Sequence, residues 1–103
     1  MDMLLKDKVV IITGASSGIG YAAAKAFSSE GADILITGRK ESVLKELKRE
    51  IKSPDRRCEI ISGDLTDQGF RELLIKDTKK LFGRLDVLVN AAGIIGSGTI
   101  ENT

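Results

Sequence analysis

The sequence contains no histidine, and it holds one cysteine, one proline and one tyrosine among 103 residues. Without histidine the chain lacks the commonest side chain for proton transfer near neutral pH and the commonest metal ligand, so we expect no metal site. The single cysteine, Cys58, excludes an internal disulfide and lies in an apolar stretch, which favours a reducing compartment. No histidine is present to activate its thiol, so we do not expect a cysteine nucleophile.

A charge excess and long apolar runs are also missing. Sixteen Lys and Arg residues against 15 Asp and Glu residues give a net charge of +1 and no basic cluster, so a nucleic-acid partner is not expected. No run approaches the roughly 18 apolar residues of a membrane helix, and the first eight residues contain no apolar core of a signal peptide. We therefore expect a soluble, cytoplasmic protein with no membrane partner.

Short apolar runs alternate with segments of helical periodicity along the chain. The predicted strands are Val9 to Ile12, Asp33 to Thr37, Cys58 to Ser62 and Leu85 to Asn90. The first predicted helix runs from Ile19 and is ended by Gly31, the second is Glu41 to Lys52, ended by Ser53-Pro54, and the third is Asp67 to Phe82, ended by Gly83. This alternation predicts the α/β class: a Rossmann-type, doubly wound parallel sheet with strand order 3-2-1-4.

Each predicted helix has an apolar stripe that we expect to face the sheet. In the first helix the stripe is Ile19, Ala22, Ala23, Ala26 and Phe27. In the second it is Leu44, Leu47 and Ile51, and in the third it is Phe70, Leu73, Leu74, Thr78 and Leu81.

The glycine-rich loop T-G-A-S-S-G-I-G joins the first strand to the first helix. Backbone N–H groups at a helix N-terminus lack partners and carry partial positive charge, which suits a phosphate. Gly14 allows the tight turn, Gly18 allows the backbone to approach a pyrophosphate, and Gly20 allows close packing of the helix. Ser16 and Ser17 offer hydroxyl donors to the same anion. The alternative is a purely structural turn.

The end of the second strand indicates which dinucleotide would bind. An acidic residue about 20 positions after the loop binds the ribose of NAD, whereas an arginine accommodates the 2′-phosphate of NADP. Here Arg39 follows Gly18 by 21 positions, and we expect no carboxylate beside the site to repel a phosphate. Because a guanidinium can hold a phosphate through paired hydrogen bonds, we predict NADP rather than NAD. The alternative for Arg39 and Lys40 is a solvated turn.

Three motifs, each at the end of a predicted strand, resemble those of the short-chain dehydrogenase/reductase family. The loop Thr13 to Gly20 matches the family's T-G-x-x-x-G-x-G, and Asp64 in G-D-L-T-D matches its acidic position after the third strand. The stretch Asn90 to Gly93, N-A-A-G, is similar to its N-N-A-G, with alanine in the second place. The resemblance covers the whole chain but only the N-terminal half of the family's domain.

The resemblance implies a cofactor site at these motifs, with Asp64 near the adenine ring. The candidate cofactor-binding residues are Gly14, Ser16, Ser17, Gly18, Ile19, Gly20, Arg39, Asp64, Leu65, Asn90, Ala91 and Gly93. Two of them have structural alternatives. Asp64 could precede a helix cap at Thr66, and Asn90 could simply end its strand.

Catalysis in this family, by resemblance, needs a serine and a Y-x-x-x-K pair beyond the fourth strand. Tyr21 and Lys25 have that spacing, but they lie one turn into the first helix, beside the phosphates and opposite its apolar stripe. We interpret them as a surface pair that faces away from the sheet and the cofactor. No catalytic residue is assigned, and we expect residues 1–103 to be the N-terminal part of one dinucleotide-binding domain, without its catalytic part.

The favoured function is therefore the cofactor half of an NADP-dependent oxidoreductase that acts on a small carbonyl or alcohol substrate and forms a homo-oligomer when complete. The alternative is a naturally short, non-catalytic nucleotide-binding or interaction module. A methyltransferase of similar architecture is less favoured, because it would want an acidic residue near position 38, where Gly38 and Arg39 stand. Alone, the chain should be marginally stable and should associate through the apolar edge of its fourth strand.

Overall fold

The structure, a computed structural model, describes residues 5–51 and 57–91. In chain order the elements are β1 (Val9–Thr13), α1 (Gly18–Ser29), β2 (Asp33–Thr37), α2 (Glu41–Glu50), β3 (Cys58–Ile60), α3 (Gln68–Phe82) and β4 (Val87–Asn90). All strand pairs are parallel, and the strand order is β3-β2-β1-β4. The predicted fold class and strand order are confirmed.

The core lies on both faces of the central strands. Along β1, Val10 and Ile12 point to the face covered by α1 and α2, whereas Ile11 points to the face covered by α3. All three side chains are fully buried. This explains the continuous apolar run of β1, since a parallel strand covered on both faces has no solvent side.

The element boundaries differ from the predicted ones by a few residues. The strand β3 ends at Ile60, two residues before the predicted end, and β4 begins at Val87, two residues after the predicted start. Gly31 follows α1 at a φ of +99°, and Gly83 ends α3 at a φ of +85°, so both predicted stops are confirmed. The predicted stop of α2 at Ser53-Pro54 lies outside the described residues.

The predicted inward face of α1 was wrong. Ile19 is 62% exposed and Ala22 and Ala26 are also exposed, whereas the buried positions are Gly20, Ala24 and Ser28. These three small residues are spaced four apart, so they lie on one face and allow the helix to approach the strands closely. Phe27 was predicted correctly to pack against the core, in a half-buried position.

The predicted inward faces of α2 and α3 agree more closely with the structure. Leu44 and Leu47 of α2 are fully buried, as predicted. In α3, Leu74 and Thr78 are buried, but Leu73 and Leu81 remain 48% and 42% exposed. The described sheet therefore covers only part of the apolar stripe of α3.

The strand β4 forms one edge of the described sheet and is tied to β1 at its start. The backbone N–H of Val9 donates to Oδ2 of Asp86 at 2.8 Å, and Arg84 pairs with the same carboxylate at 2.8 Å. Leu88 of β4 is 37% exposed, in agreement with the predicted apolar edge. Among the described helices, none combines the length and apolar character needed to cross a bilayer.

Candidate functional site

The candidate residues meet at the carboxyl edge of the sheet because the strand register aligns their ends. Thr13 of β1 lies opposite Thr37 of β2 on one side and Asn90 of β4 on the other. Beyond β3, the N–H of Gly63 donates to the carbonyl of Gly38 at 3.0 Å, which extends the alignment to the third strand. The described loops after β1, β2 and β3 and the end of β4 therefore face one region.

The glycine loop is held by its own hydrogen bonds. Gly14 has a φ of +66°, which an L side chain rarely adopts, so its glycine is required by the turn. The Ser17 hydroxyl donates to the Gly14 carbonyl at 2.7 Å and accepts from the N–H of Gly20 at 3.3 Å, so Ser17 is the N-cap of α1. The hydroxyl proton of Ser17 is thus used inside the loop rather than aimed at a ligand.

The other two glycines of the loop have different surroundings. A Cβ at Gly20 would lie 2.2 Å from the Gly14 carbonyl oxygen, so no larger residue fits without moving the backbone. A Cβ at Gly18 would have nothing within 4 Å, and the φ of Gly18 is not positive. Nothing within the described chain therefore requires glycine at position 18, and its missing side chain leaves open space at the N-terminus of α1.

A cleft of about 340 Å³ lies between the glycine loop and the ends of β2 and β3. Its lining residues are Gly14, Ser16, Gly38, Arg39, Lys40, Gly63, Asp64, Leu65 and Thr66. Ser16 reaches over the end of β2, because a Cβ at Gly38 would lie 2.8 Å from the Ser16 hydroxyl oxygen. Four of these residues were not predicted as site residues, although each directly neighbours a candidate in sequence: Gly38, Lys40, Gly63 and Thr66.

Arg39 and Asp64 face each other in this cleft. The Arg39 Nη2 atom lies 3.6 Å from Oδ1 of Asp64, and both side chains are more than half exposed. The expectation that no carboxylate stands beside Arg39 was wrong. It considered only the neighbours of Arg39 in sequence, whereas Asp64 is brought there by the pairing of β2 with β3.

Asp64 also orders the loop before α3. Its Oδ1 atom accepts hydrogen bonds from the Thr66 N–H at 2.9 Å and the Thr66 hydroxyl at 2.7 Å. These bonds, followed by the charge of Arg39, hold the pKa of Asp64 below its ordinary value. The alternative in which Thr66 caps the helix does not hold, because Asp67 caps α3 by accepting from the N–H groups of Gly69 and Phe70.

The remaining candidates lie at the end of β4. The Asn90 Oδ1 atom accepts from the Thr13 hydroxyl at 3.0 Å, and the Ala91 N–H donates to the Thr13 carbonyl at 3.3 Å. Asn90 therefore ends β4 and links it to β1 through its amide oxygen. Leu65 is half-buried against the α3 side of the core. Gly93 lies outside the described residues.

Tyr21 and Lys25 form a network with α2 rather than an acid–base pair. The Tyr21 hydroxyl donates to Glu50 Oε2 at 2.6 Å, and Lys25 Nζ lies 3.1 Å from Glu50 Oε1. Hydrogen bonding to Glu50 raises the pKa of Tyr21 to about 12, the wrong direction for a catalytic base. The prediction that both face away from the sheet was wrong for Tyr21, which packs partly against the core.

Comparison with known proteins places this arrangement in a family. The model of the short chain dehydrogenase family matches residues 8–103. The chain belongs to the short-chain dehydrogenase/reductase family. It is 45% identical over 101 residues to an uncharacterized oxidoreductase of Thermotoga maritima, which it covers to 39% while 98% of its own length is matched. The predicted resemblance is thereby confirmed.

Solved structures of the short-chain dehydrogenase/reductase family superpose on the chain. L-sorbose reductase from Gluconobacter frateurii, complexed with NADPH and L-sorbose, is 36% identical with a TM-score of 0.82 over 100% of this chain and 40% of that one. A short chain dehydrogenase from Bacillus anthracis is 40% identical with a TM-score of 0.79, over 84% and 35% of the two chains. The chain thus spans about two fifths of the length of these relatives.

Proposed function

We propose that the chain is the NADP-binding N-terminal half of an oxidoreductase. The reaction would be hydride transfer between the nicotinamide ring and a carbonyl or secondary alcohol substrate. When bound, the cofactor supplies the hydride donor or acceptor. The residues of this chain hold its adenosine and diphosphate end.

The observation that carries this proposal is the open space at Gly18. Glycine is required there neither by its backbone conformation nor by any described neighbour, so its absent side chain is best explained by a bound group. The first turn of α1 presents N–H groups and partial positive charge to that space, which suits a pyrophosphate. Ser17 contributes by capping the helix and holding the loop in shape.

The cleft beside the loop supports NADP over NAD. Arg39 and Lys40 line it, the end of β2 carries no acidic residue, and Ser16 adds a hydroxyl over Gly38. The L-sorbose reductase that shares this fold was crystallised with NADPH, which agrees with the preference. Asp64 and Leu65 form the far wall, where the adenine ring would lie.

Replacement of Arg39 tests the cofactor preference. We expect Arg39→Gln to weaken NADPH binding by about tenfold, since one charge-assisted contact to a phosphate is lost, and to change NADH binding by less than about twofold. Isothermal titration calorimetry measures both dissociation constants. Arg49→Gln, at an exposed position on α2, removes the same charge away from the cleft and should change neither. Equal losses for NADPH and NADH in Arg39→Gln would refute the assignment of Arg39.

A non-catalytic nucleotide-binding or interaction module is the second candidate. It is favoured by the exposed apolar residues Leu88 on β4 and Ile75 on α3, which form a surface that a partner could cover. The intact mass of the protein in its native source separates the two candidates. A species of at least about twice 11.1 kDa supports the oxidoreductase half, whereas one of 11.1 kDa supports the module.

A further inference from the structure

The ion pair between Arg39 and Asp64 spans the cleft in which the adenosine end of a cofactor would lie. The two side chains come from the ends of neighbouring strands, β2 and β3, and their charged atoms are 3.6 Å apart. Both residues line the same cleft as Ser16 and Gly38. Any ligand group that pairs with Arg39 must therefore do so next to a carboxylate.

The two partners are held very differently. Asp64 is fixed by two hydrogen bonds from Thr66, at 2.9 and 2.7 Å, in addition to the ion pair. The Arg39 side chain is 73% exposed, and its contact with Asp64 is longer than a hydrogen bond. Arg39 is thus the partner that can be drawn away, and Asp64 stays beside the cleft when it is.

We propose that Asp64 is a specificity-determining residue that lowers the preference for a 2′-phosphate by competing with it for Arg39. The inference rests on the proposed function of Arg39. In the empty cleft the carboxylate pairs with the guanidinium, and in the loaded cleft it stands beside a second anion. Both effects disfavour a nucleotide with a 2′-phosphate, and neither acts on a nucleotide that lacks one.

The size of the effect follows from the exposure of the pair. Exposed ion pairs seldom change an equilibrium by more than about fivefold. A phosphate carries more charge than a carboxylate and can bind a guanidinium through two parallel hydrogen bonds, so it displaces Asp64 rather than being excluded by it. We therefore expect removal of the Asp64 charge to raise the preference for a 2′-phosphate by about two- to fivefold.

Asp64→Asn tests the inference with two probes, adenosine 2′,5′-bisphosphate and 5′-AMP. The asparagine keeps an oxygen that can accept the hydrogen bonds of Thr66, so the loop is preserved while the charge is lost. The measured ratio is the dissociation constant of 5′-AMP divided by that of the bisphosphate, so it rises with the preference for a 2′-phosphate. Both probes carry the same adenine, so any change in the contacts of the adenine cancels in this ratio. Calorimetric titration of the unmodified chain, Asp64→Asn, Arg39→Gln and the double variant gives a complete double-mutant cycle.

The expected result is a ratio that rises two- to fivefold in Asp64→Asn and rises by less when Arg39→Gln is already present, because only the direct repulsion between Asp64 and the 2′-phosphate then remains. The control Asp77→Asn, which removes the same charge from α3, should leave the ratio unaltered. A ratio that Asp64→Asn leaves unchanged or lowers overturns the inference. So does a rise of equal size in the Arg39→Gln background, because Asp64 would then act without Arg39.

The same titrations distinguish failure of the proposed function. If the unmodified chain binds the two probes equally, the NADP preference is contradicted. The inference then stands only if Asp64→Asn binds the bisphosphate more tightly than 5′-AMP and the added Arg39→Gln removes this difference. It falls if Asp64→Asn also binds the two probes equally. If the unmodified chain prefers the bisphosphate but Asp64→Asn has no effect, the proposed function stands and the inference falls.

Discussion

Gly18 and Gly20 lie two residues apart in one loop, yet an added Cβ would have opposite consequences at the two positions. At Gly20 it would collide with the Gly14 carbonyl, and at Gly18 it would meet no atom within 4 Å. The sequence motif contains both glycines but does not show why glycine stands at each position. Their surroundings separate a glycine required by the loop itself from one whose space suits a ligand.

Alanine at each position provides a matched pair of variants. We expect Gly20→Ala to lower the free energy of unfolding by about 1–3 kcal/mol, because the loop must shift to admit the methyl group. Gly18→Ala should leave that free energy within about 1 kcal/mol and weaken NADPH binding by about tenfold or more, because its methyl group enters the proposed diphosphate site. Urea denaturation and calorimetric titration measure the two effects.

Either of two results would contradict this interpretation. Unchanged NADPH affinity in Gly18→Ala would mean that the space is not used by the diphosphate. Stability that is equal in the two variants would mean that the Gly20 contact is relieved at no cost.

Asp64 shows which site features the sequence could not give. Its presence at a strand end was predicted, but its contact with Arg39, 25 positions earlier, depends on how β2 pairs with β3. The role of Ser17 was similarly hidden, since a serine in a glycine loop can serve a ligand or a helix cap, and here it forms the cap. The cofactor roles of both residues stay predictions.

At the scale of elements, periodicity was sufficient for the strands and misleading for one helix. The two central strands contain the buried apolar runs Val10–Ile12 and Ile34–Ile36, and all four strands of the described residues were predicted, together with their order. The helix α1 carries apolar residues on two sides, Ile19 and Ala22 on one and Ala24 and Phe27 on the other. Hydrophobicity alone does not choose between them, and the sheet contacts the side with the small residues Gly20 and Ala24.

The attachment of β4 to β1 makes stability depend on pH through Asp86. Hydrogen bonds from Arg84 and the Val9 N–H hold the pKa of Asp86 below its ordinary value of 3.8. Because the folded-state pKa is lowered, this contribution is present above pH 3.8 and is lost as the pH falls through the folded-state pKa. We expect Asp86→Asn to lower the urea midpoint at pH 7 and to flatten the loss of stability in acid.

Urea denaturation at a series of pH values between about 2 and 7 checks this prediction. The control is Asp77→Asn, which removes a carboxylate from α3 and should retain the acid dependence of the unmodified chain. The prediction is contradicted if the urea midpoint of Asp86→Asn falls with acid as steeply as that of the unmodified chain. Asp86 would then not couple folding to pH.

At the scale of the whole molecule, the chain matches about two fifths of the length of its relatives and exposes apolar side chains beside its edge strand. Ile75 of α3 and Leu88 of β4 are 39% and 37% exposed and line one cleft. An edge strand with unpaired backbone groups and apolar neighbours favours pairing with another chain. This surface agrees with the prediction that the chain associates when it is expressed alone.

Sedimentation velocity over a range of concentrations tests that prediction. We expect the 103-residue chain to form concentration-dependent oligomers, and Leu88→Lys to shift the population towards monomer, because a charge on an edge strand opposes pairing. Ile19→Lys, at an exposed position of α1 on the other face of the sheet from α3, should not do so. A single monomer species with cooperative melting for the unmodified chain would refute the prediction.

The central claim is that the cleft beside the glycine loop binds the adenosine end of NADP, and one comparison tests it most directly. Calorimetric titration of the chain with adenosine 2′,5′-bisphosphate and with 5′-AMP isolates the 2′-phosphate without requiring the nicotinamide half of the site. We expect the bisphosphate to bind about tenfold more tightly than 5′-AMP, with a preference that weakens as salt is added. Equal binding of the two probes would contradict the NADP assignment, and binding of neither would contradict the nucleotide site.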